Sequence, residues 1–196
     1  PLYDFFKRGM DIILATIGLI LASPILIALA FLIKLTSKGP VFFNQPRMGK
    51  RLKPFKMYKF RTMRSAESKK DASGGFTEAG DARVTWVGRF IRPLHLDELP
   101  QILNIIKGEM SIVGVRPEAE SFANKMKKEI PFYGLRYLSK PGLTGHAQIS
   151  MGYALDTVEA TKDKLSYDFY YLTKKSILND LRIVLQTAFF LTAGSR

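Results

Sequence analysis

The chain contains no cysteine. That absence excludes a disulfide framework and any zinc centre built on thiolates, and it fits a reducing, cytosolic face. Also missing are an internal repeat, a glycine-rich dinucleotide fingerprint, a Walker loop and zinc-type ligand spacing. The histidines, His95 and His146, have no partner at metal spacing, so each reads as a packed or exposed side chain. Acids are scarce: 17 Asp and Glu stand against 30 Lys and Arg, a formal charge of +13. A surface of that sign attracts phosphate in nucleic acid, anionic lipid or nucleotides, and charge alone does not choose among them.

What the chain does have begins with an uncharged run from Ile12 to Ile33, "IILATIGLILASPILIALAFLI". At about 1.5 Å per residue such a helix is long enough to cross a hydrocarbon core. Its pattern continues into the chain, unlike a cleaved signal peptide. Ser23 and Pro24 sit in its middle, where proline removes a backbone hydrogen bond and crowds the preceding turn. Lys7 and Arg8 precede the run and Lys34 and Lys38 follow it, which permits both ends to lie on the cytoplasmic side. Residues 1–38 are therefore expected to form a re-entrant helix-break-helix anchor that dips into the bilayer and returns. The Ser23 hydroxyl would take up a backbone group freed by Pro24.

Gly39-Pro40 punctuates the exit, and a second region, residues 39–196, begins. Ten Lys or Arg against one acid, Glu67, fall between Arg47 and Lys70. Much of this charge reads as a patch facing solvent or anionic headgroups. In "FKMYKFRTM" the aromatics predict a strand, and period-two alternation would put Lys59 and Arg61 on one packed face with Met57 and Met63, poised to hold an anion. Ser65 to Asp81 is small, polar and glycine-bearing, a loop that is either a lid or slack. Val84, Val87 and Ile91 then recur at helical spacing, with Arg92 five residues before Asp97.

"HLDELPQILN" places Asp97 and Glu98 side by side. Asp97 has the position of a helix N-cap, followed by Glu98 and Pro100 in a first turn and by a helix ending at Gly108. A cap aspartate needs no chemistry, yet at a helix start both carboxylates can approach one ligand, and the helix dipole keeps Asp97 ionised and available as a nucleophile. Arg116-Pro117 precedes another helix, where a guanidinium can grip phosphate. From Ser176 to Ala193 the residues Ile177, Leu181, Val184, Leu185 and Ala188 form one apolar stripe, suited to cover the core or to lie on lipid. The fold expected is α+β and mainly helical, with short strands near the site.

Taken in order, the "KRGMDI" entry and "SP" break, "GPVFFNQPRMGK", "YKFRTM", "LDELPQILNIIKGEMSIVG", "RPE", "KPGLTG" and "YDFYY" resemble the bacterial sugar transferases, monotopic phosphoglycosyl transferases that start glycan assembly. The resemblance runs nearly end to end. It implies a cytoplasmic-face catalytic domain with amphipathic interfacial helices at a bacterial inner membrane. It further implies transfer of a phosphosugar from a UDP-sugar to polyprenol phosphate, with undecaprenyl phosphate the expected acceptor, and release of UMP with Mg²⁺ present. Carried over, Asp97 would be the nucleophile and Glu98 its acidic partner, the two holding the metal. Lys59 and Arg116 would be active-site cations, beside the further phosphate candidates Arg61 and Arg92. Asp168 of "YDFYY" is another candidate. Anionic lipids are expected partners and nucleic acid is not. The chain departs from the commoner "GPRP" and "QVNG" patterns with "GVRP" at Gly114 to Pro117 and "HAQISMGY" after "PGLTG". A basic, membrane-anchored module without enzymatic activity, and direct transfer without a covalent intermediate, are the competing readings.

Overall fold

The computed structural model describes residues 2–64, 81, 83–151 and 157–192. It is mainly helical, with short strands. The first element, α1 (Leu2–Thr36), contains the whole apolar run and, among the described residues, is the one helix long and apolar enough to cross a membrane. Its helical backbone continues through Pro24 rather than breaking there. The proline leaves the carbonyl of Ile20, four residues earlier, without its usual donor. The Ser23 hydroxyl donates to that oxygen at 2.7 Å, the service expected of it.

One stripe of α1 lies on the rest of the molecule: Lys7, Asp11, Ala15, Leu29 and Ile33 are buried, with Leu19, Leu26 and Ala30 packed beside them. The opposite face is apolar and exposed, including Ile13, Ile17, Leu21, Ile27, Phe31 and Leu35. That outer face is the composition of a membrane anchor. Asp11 accepts from Ser111 Oγ and the Ile112 amide, both at 3.0 Å, and Arg61 Nη2 donates to the carbonyl and hydroxyl of Ser37, both at 2.7 Å. Both ends of the apolar run are thus fastened to the same body.

An antiparallel hairpin follows, β1 (Phe42–Met48) and β2 (Pro54–Phe60), pairing Phe43 with Lys59 and Gln45 with Met57. The predicted strand therefore forms but stops at Phe60. Arg61, one residue further, leaves the pleat for Ser37, so it does not share a face with Lys59 as alternation suggested. The expected loop at 65–81 lies, apart from Asp81, outside the described residues. Helix α2 (Trp86–Ile91) starts later than periodicity placed it, because Val84 bridges Met63 and Thr85 caps the helix through the Gly88 amide at 3.0 Å. Gly88 is required there, since a Cβ would lie 2.3 Å from the Thr62 carbonyl.

Beyond the site turn run α3 (Ile102–Lys107), β3 (Ser111–Val113), α4 (Glu120–Glu129), β4 (Gly142–Thr144), α5 (His146–Met151), α6 (Val158–Thr173) and α7 (Ile177–Thr192). Strands β3 and β4 pair in parallel. In α7 Asp180 and Ile183 are buried and Val184 of the expected stripe packs beside them, whereas Leu181 and Leu185 of that stripe face outward with Leu178. The inward Asp180 accepts from Tyr171 at 3.0 Å and, from the far end of the chain, from Lys7 at 2.7 Å and Tyr3 at 2.9 Å. Apolar clusters tie these pieces together. Met57, Ile102, Ile105 and Met110 pack on Ala15, and Phe60, Val87 and Ile91 pack on Leu29 and Ile33, so the elements bearing the site stand directly on α1.

Candidate active site

Asp97 and Glu98 lie in the first turn of a 3₁₀ segment, Leu96–Gln101, headed by His95 in the left-handed region at φ 53°. Asp97 is therefore not an N-cap. Pro100 supplies no N–H, so an α ladder cannot close across this turn and it tightens instead. The helix proper, α3, follows and ends at Gly108 with φ 85°, where the sequence placed its end. Asn104 fixes the turn against the hairpin: its side chain accepts from the Tyr58 amide at 3.0 Å and donates to the Lys56 carbonyl at 2.7 Å.

The hairpin brings Lys59 to Glu98, Nζ to Oε1 at 2.6 Å, and the segment after β3 brings Arg116 Nη2 to the same oxygen at 3.7 Å. Lys59 and Arg116 thus meet at one carboxylate, as expected, and Arg61 is absent from the group. Arg92 is close enough to act electrostatically on Asp97, and its Nη1 is buried without a hydrogen-bond partner among the described residues. Arg47, Met57, Gln101 and Gly142 complete the cleft beside Glu98 and Arg116. Arg47 and Gln101 were not singled out in the sequence, where Arg47 was one basic residue among ten.

The two carboxylates are pushed in opposite directions. Burial raises Glu98, but Lys59 and then Arg116 more than offset it and hold the carboxyl down at about 2. Burial also raises Asp97; Lys59 and Arg92 offset this only in part, Glu98 adds to it, and the group stays above its ordinary value. Among the described residues Asp97 forms no ion pair within 4.0 Å. Adjacent carboxylates with diverging environments are a recurring sign of divided roles. Of the pair, Asp97 is the one raised above its ordinary value and the one without an ion pair among the described residues. Glu98 is held as a carboxylate by the two cations beside it.

Asp168 lies elsewhere. It is buried against Arg136, Nη2 to Oδ2 at 2.8 Å, in a cluster with Glu118 and Lys164. Arg136 is 1% exposed and also donates to the carbonyl of Arg116 at 3.3 Å. Asp168 therefore belongs to the support beneath Arg116, not to the group around Asp97. His146 packs against Tyr167 and Tyr170, with ring centroids at 5.8 and 5.0 Å, as a packed histidine would.

No group of three or more metal-ligating side chains occurs among the described residues. Mg²⁺ retains several waters and takes one or two carboxylates together with substrate phosphates, so the Asp97–Glu98 pair fits such an ion without a larger cage. A half-buried carboxylate without an ion pair, with Lys59 and Arg92 acting on it and Arg116 at the neighbouring Glu98, stands on a body with an exposed apolar helix, an arrangement suited to bind phosphate.

The bacterial sugar transferase family model matches residues 2–194, and the chain belongs to that family. It is 46% identical over 187 residues to the UDP-N-acetylgalactosamine-undecaprenyl-phosphate N-acetylgalactosaminephosphotransferase of Aeromonas hydrophila, covering 95% of this chain and 44% of that protein. It is 42% identical to the UDP-glucose:undecaprenyl-phosphate glucose-1-phosphate transferase of Escherichia coli K12, covering 96% and 42% respectively. A Caulobacter vibrioides protein of that same description is 40% identical, over 94% of this chain and 68% of its own. The chain thus spans less than half the length of the first two relatives.

Proposed function

We propose that this protein transfers a sugar 1-phosphate from a UDP-sugar to polyprenol phosphate, undecaprenyl phosphate in a bacterium, as a first membrane step of glycan assembly. The observation that carries this reading is the division of the carboxylate pair: Glu98 is clamped by Lys59 and Arg116, while Asp97 beside it is more basic and forms no ion pair. The three relatives named above, described as acting between a UDP-sugar and undecaprenyl phosphate, support the substrate classes.

In the first step an Asp97 oxygen attacks the phosphorus that bears the sugar. A carboxyl–phosphorus bond forms, the bond to the bridging diphosphate oxygen breaks, and that oxygen leaves with its electron pair as part of UMP. Arg116, Lys59 and Arg92 neutralise the phosphate charge and align the group for in-line attack. Glu98 holds the two nearest cations in place and, with Asp97, would hold Mg²⁺. When bound, that ion neutralises charge developing on the diphosphate. In the second step a phosphate oxygen of the polyprenol phosphate attacks the same phosphorus and Asp97 is released as carboxylate.

The anchor suits two substrates of different phases, one soluble and one confined to the bilayer. The attachment of both ends of α1 to one body supports a monotopic arrangement with residues 39–196 on the cytoplasmic face of the inner membrane. UDP-sugar with Mg²⁺ and no lipid acceptor is expected to release UMP in an amount comparable to the enzyme and to add one phosphosugar mass to the intact chain. Asp97→Asn abolishes both signals. An active wild-type preparation that releases UMP only after lipid is added, and never gains mass, overturns the covalent route in favour of direct transfer.

A further inference from the structure

Outside the catalytic cleft, a groove of about 450 Å³ opens at the turn of the β1–β2 hairpin. Lys50, Arg51 and Lys53 line it from the turn, and Lys140 lines it from the segment before β4. None of these four cations has a carboxylate within 4.0 Å among the described residues. The acid in the wall, Glu109, accepts from Asn104 Nδ2 at 2.7 Å and serves the site turn. At Gly108 a Cβ would meet Arg8 Nη2 at 3.3 Å and Lys140 Nζ at 3.4 Å, so two cationic side chains from distant parts of the chain converge over one bare backbone position. Burial, Arg8 and Lys50 all depress the Lys140 amine. The turn itself is held open by Arg51 and Leu52 at φ 56° and 59°, a conformation costly for residues with side chains.

Four unpaired cations around one recess are repelled by each other, and an anion relieves that repulsion. The groove lies beside the catalytic cleft without sharing its lining residues. We propose that it is a second anion site, separate from the Asp97–Glu98 centre, and that its occupant is the phosphate headgroup of an anionic lipid. Its level in the molecule argues for lipid. Arg8, whose guanidinium also donates to the Ile105 and Ile106 carbonyls at 2.6 and 2.8 Å, lies one helical turn, about 6 Å along the axis, before the exposed Ile12 of the apolar run. The groove therefore opens where an anchor of this kind meets headgroups. Close by, the 3₁₀ segment Tyr133–Leu138 packs on the hairpin turn and leaves Leu135 and Leu138 exposed, with Phe132 just before it.

This inference rests on α1 lying in a bilayer, not on the proposed chemistry. The test uses the full chain in neutral detergent micelles, trace acetic anhydride labelling and peptide mass spectrometry of each lysine. Dioctanoyl phosphatidylglycerol is expected to slow labelling of Lys50 and Lys140 by at least about threefold once it exceeds its dissociation constant twofold. Dioctanoyl phosphatidylcholine should leave both unchanged, and the exposed Lys125 and Lys128 should not respond to either lipid. The Arg51→Gln/Lys53→Gln double variant should lose the protection while retaining acceptor-free UMP release. Equal protection by inorganic phosphate overturns the lipid assignment, and equal protection at Lys125 and Lys128 reduces the groove to diffuse charge. No protection by the anionic lipid overturns the site altogether. A preparation that releases no UMP yet shows the protection would sink the proposed chemistry and leave this site standing.

Discussion

Lys59 and Arg61 are two residues apart and carry the same charge, yet they serve different neighbours. Lys59 reaches Glu98 at 2.6 Å, whereas Arg61 reaches Ser37 at the end of α1. Lys59→Ala is expected to slow UMP release by at least about tenfold, roughly 1.4 kcal/mol of transition-state stabilisation. Arg61→Ala should slow it less and instead lower the midpoint of chemical unfolding, since it removes two hydrogen bonds that fasten the anchor. Measuring both quantities on both variants separates the roles; equal kinetic losses with equal stability losses would mean that the basic segment acts as one patch. Glu98→Gln should keep the fold and turn over poorly, because the cations it clamps lose their common partner. That Lys59 and Arg116 come to the Asp97–Glu98 turn fits the sequence reading, whereas the turn itself is 3₁₀ and headed by His95, so the local reading of Asp97 as a helix cap failed. Arg61 was misread because alternation says nothing about where a strand stops, and the terminus at Phe60 is set by contact with α1.

At the scale of elements, Arg116 owes its position to the support beneath it. Arg136, Glu118, Lys164 and Asp168 come from three separate parts of the chain, and the first donates to the Arg116 carbonyl. Burial raises Glu118, but Arg136 and Lys164 overcome it and hold the carboxyl at about 2. A group depressed in the fold contributes stability above its unfolded pKa, and loses it as pH falls through the folded value. Unfolding midpoints in urea are therefore expected to drop between pH about 4.3 and about 2, and the Glu118→Gln variant should lack that part of the drop. Asp168, raised chiefly by burial and in part by Glu118 itself, acts in the opposite sense, so the difference between the two proteins reports Glu118 together with its coupling to Asp168. The substitution should cost roughly 3 kcal/mol or more at neutral pH, because it strands part of a buried guanidinium. None of this network was visible beforehand except Asp168 as an isolated candidate. Its members pair across 18 to 46 positions, Glu118 with Arg136 and Lys164, and Arg136 with Asp168, distances over which no periodicity or motif carries information. Of the helices, α2, α3, α4 and α7 were readable from spacing and flanking residues, with Pro100 and Thr85 moving two of their starts, whereas the break expected in α1 did not form and α5 and α6 were not read at all.

For the whole molecule, the decisive relation is between α1 and everything it touches. Cysteines placed at Asp4 and Ser37 should both be labelled, or both be protected, when an impermeant reagent is added to one side of sealed vesicles. Labelling of a single one would mean that the helix spans. Pro24→Ala restores a backbone donor toward Ile20 and should shift the population toward spanning. Helix α1 is also secured by α7: Lys7 Nζ meets Asp180 at 2.7 Å, and Tyr3 meets the same carboxylate at 2.9 Å. Those partners are 173 positions apart for Lys7, and a ribosome adding about 5–20 residues per second needs roughly 10–35 s to cover that interval. During that time the anchor is already made, but its inward lysine has no counter-charge and its inward apolar stripe has no domain to cover. Biogenesis of this protein is thus a waiting problem, in which the bilayer or a targeting factor must shelter α1 until α7 is delivered.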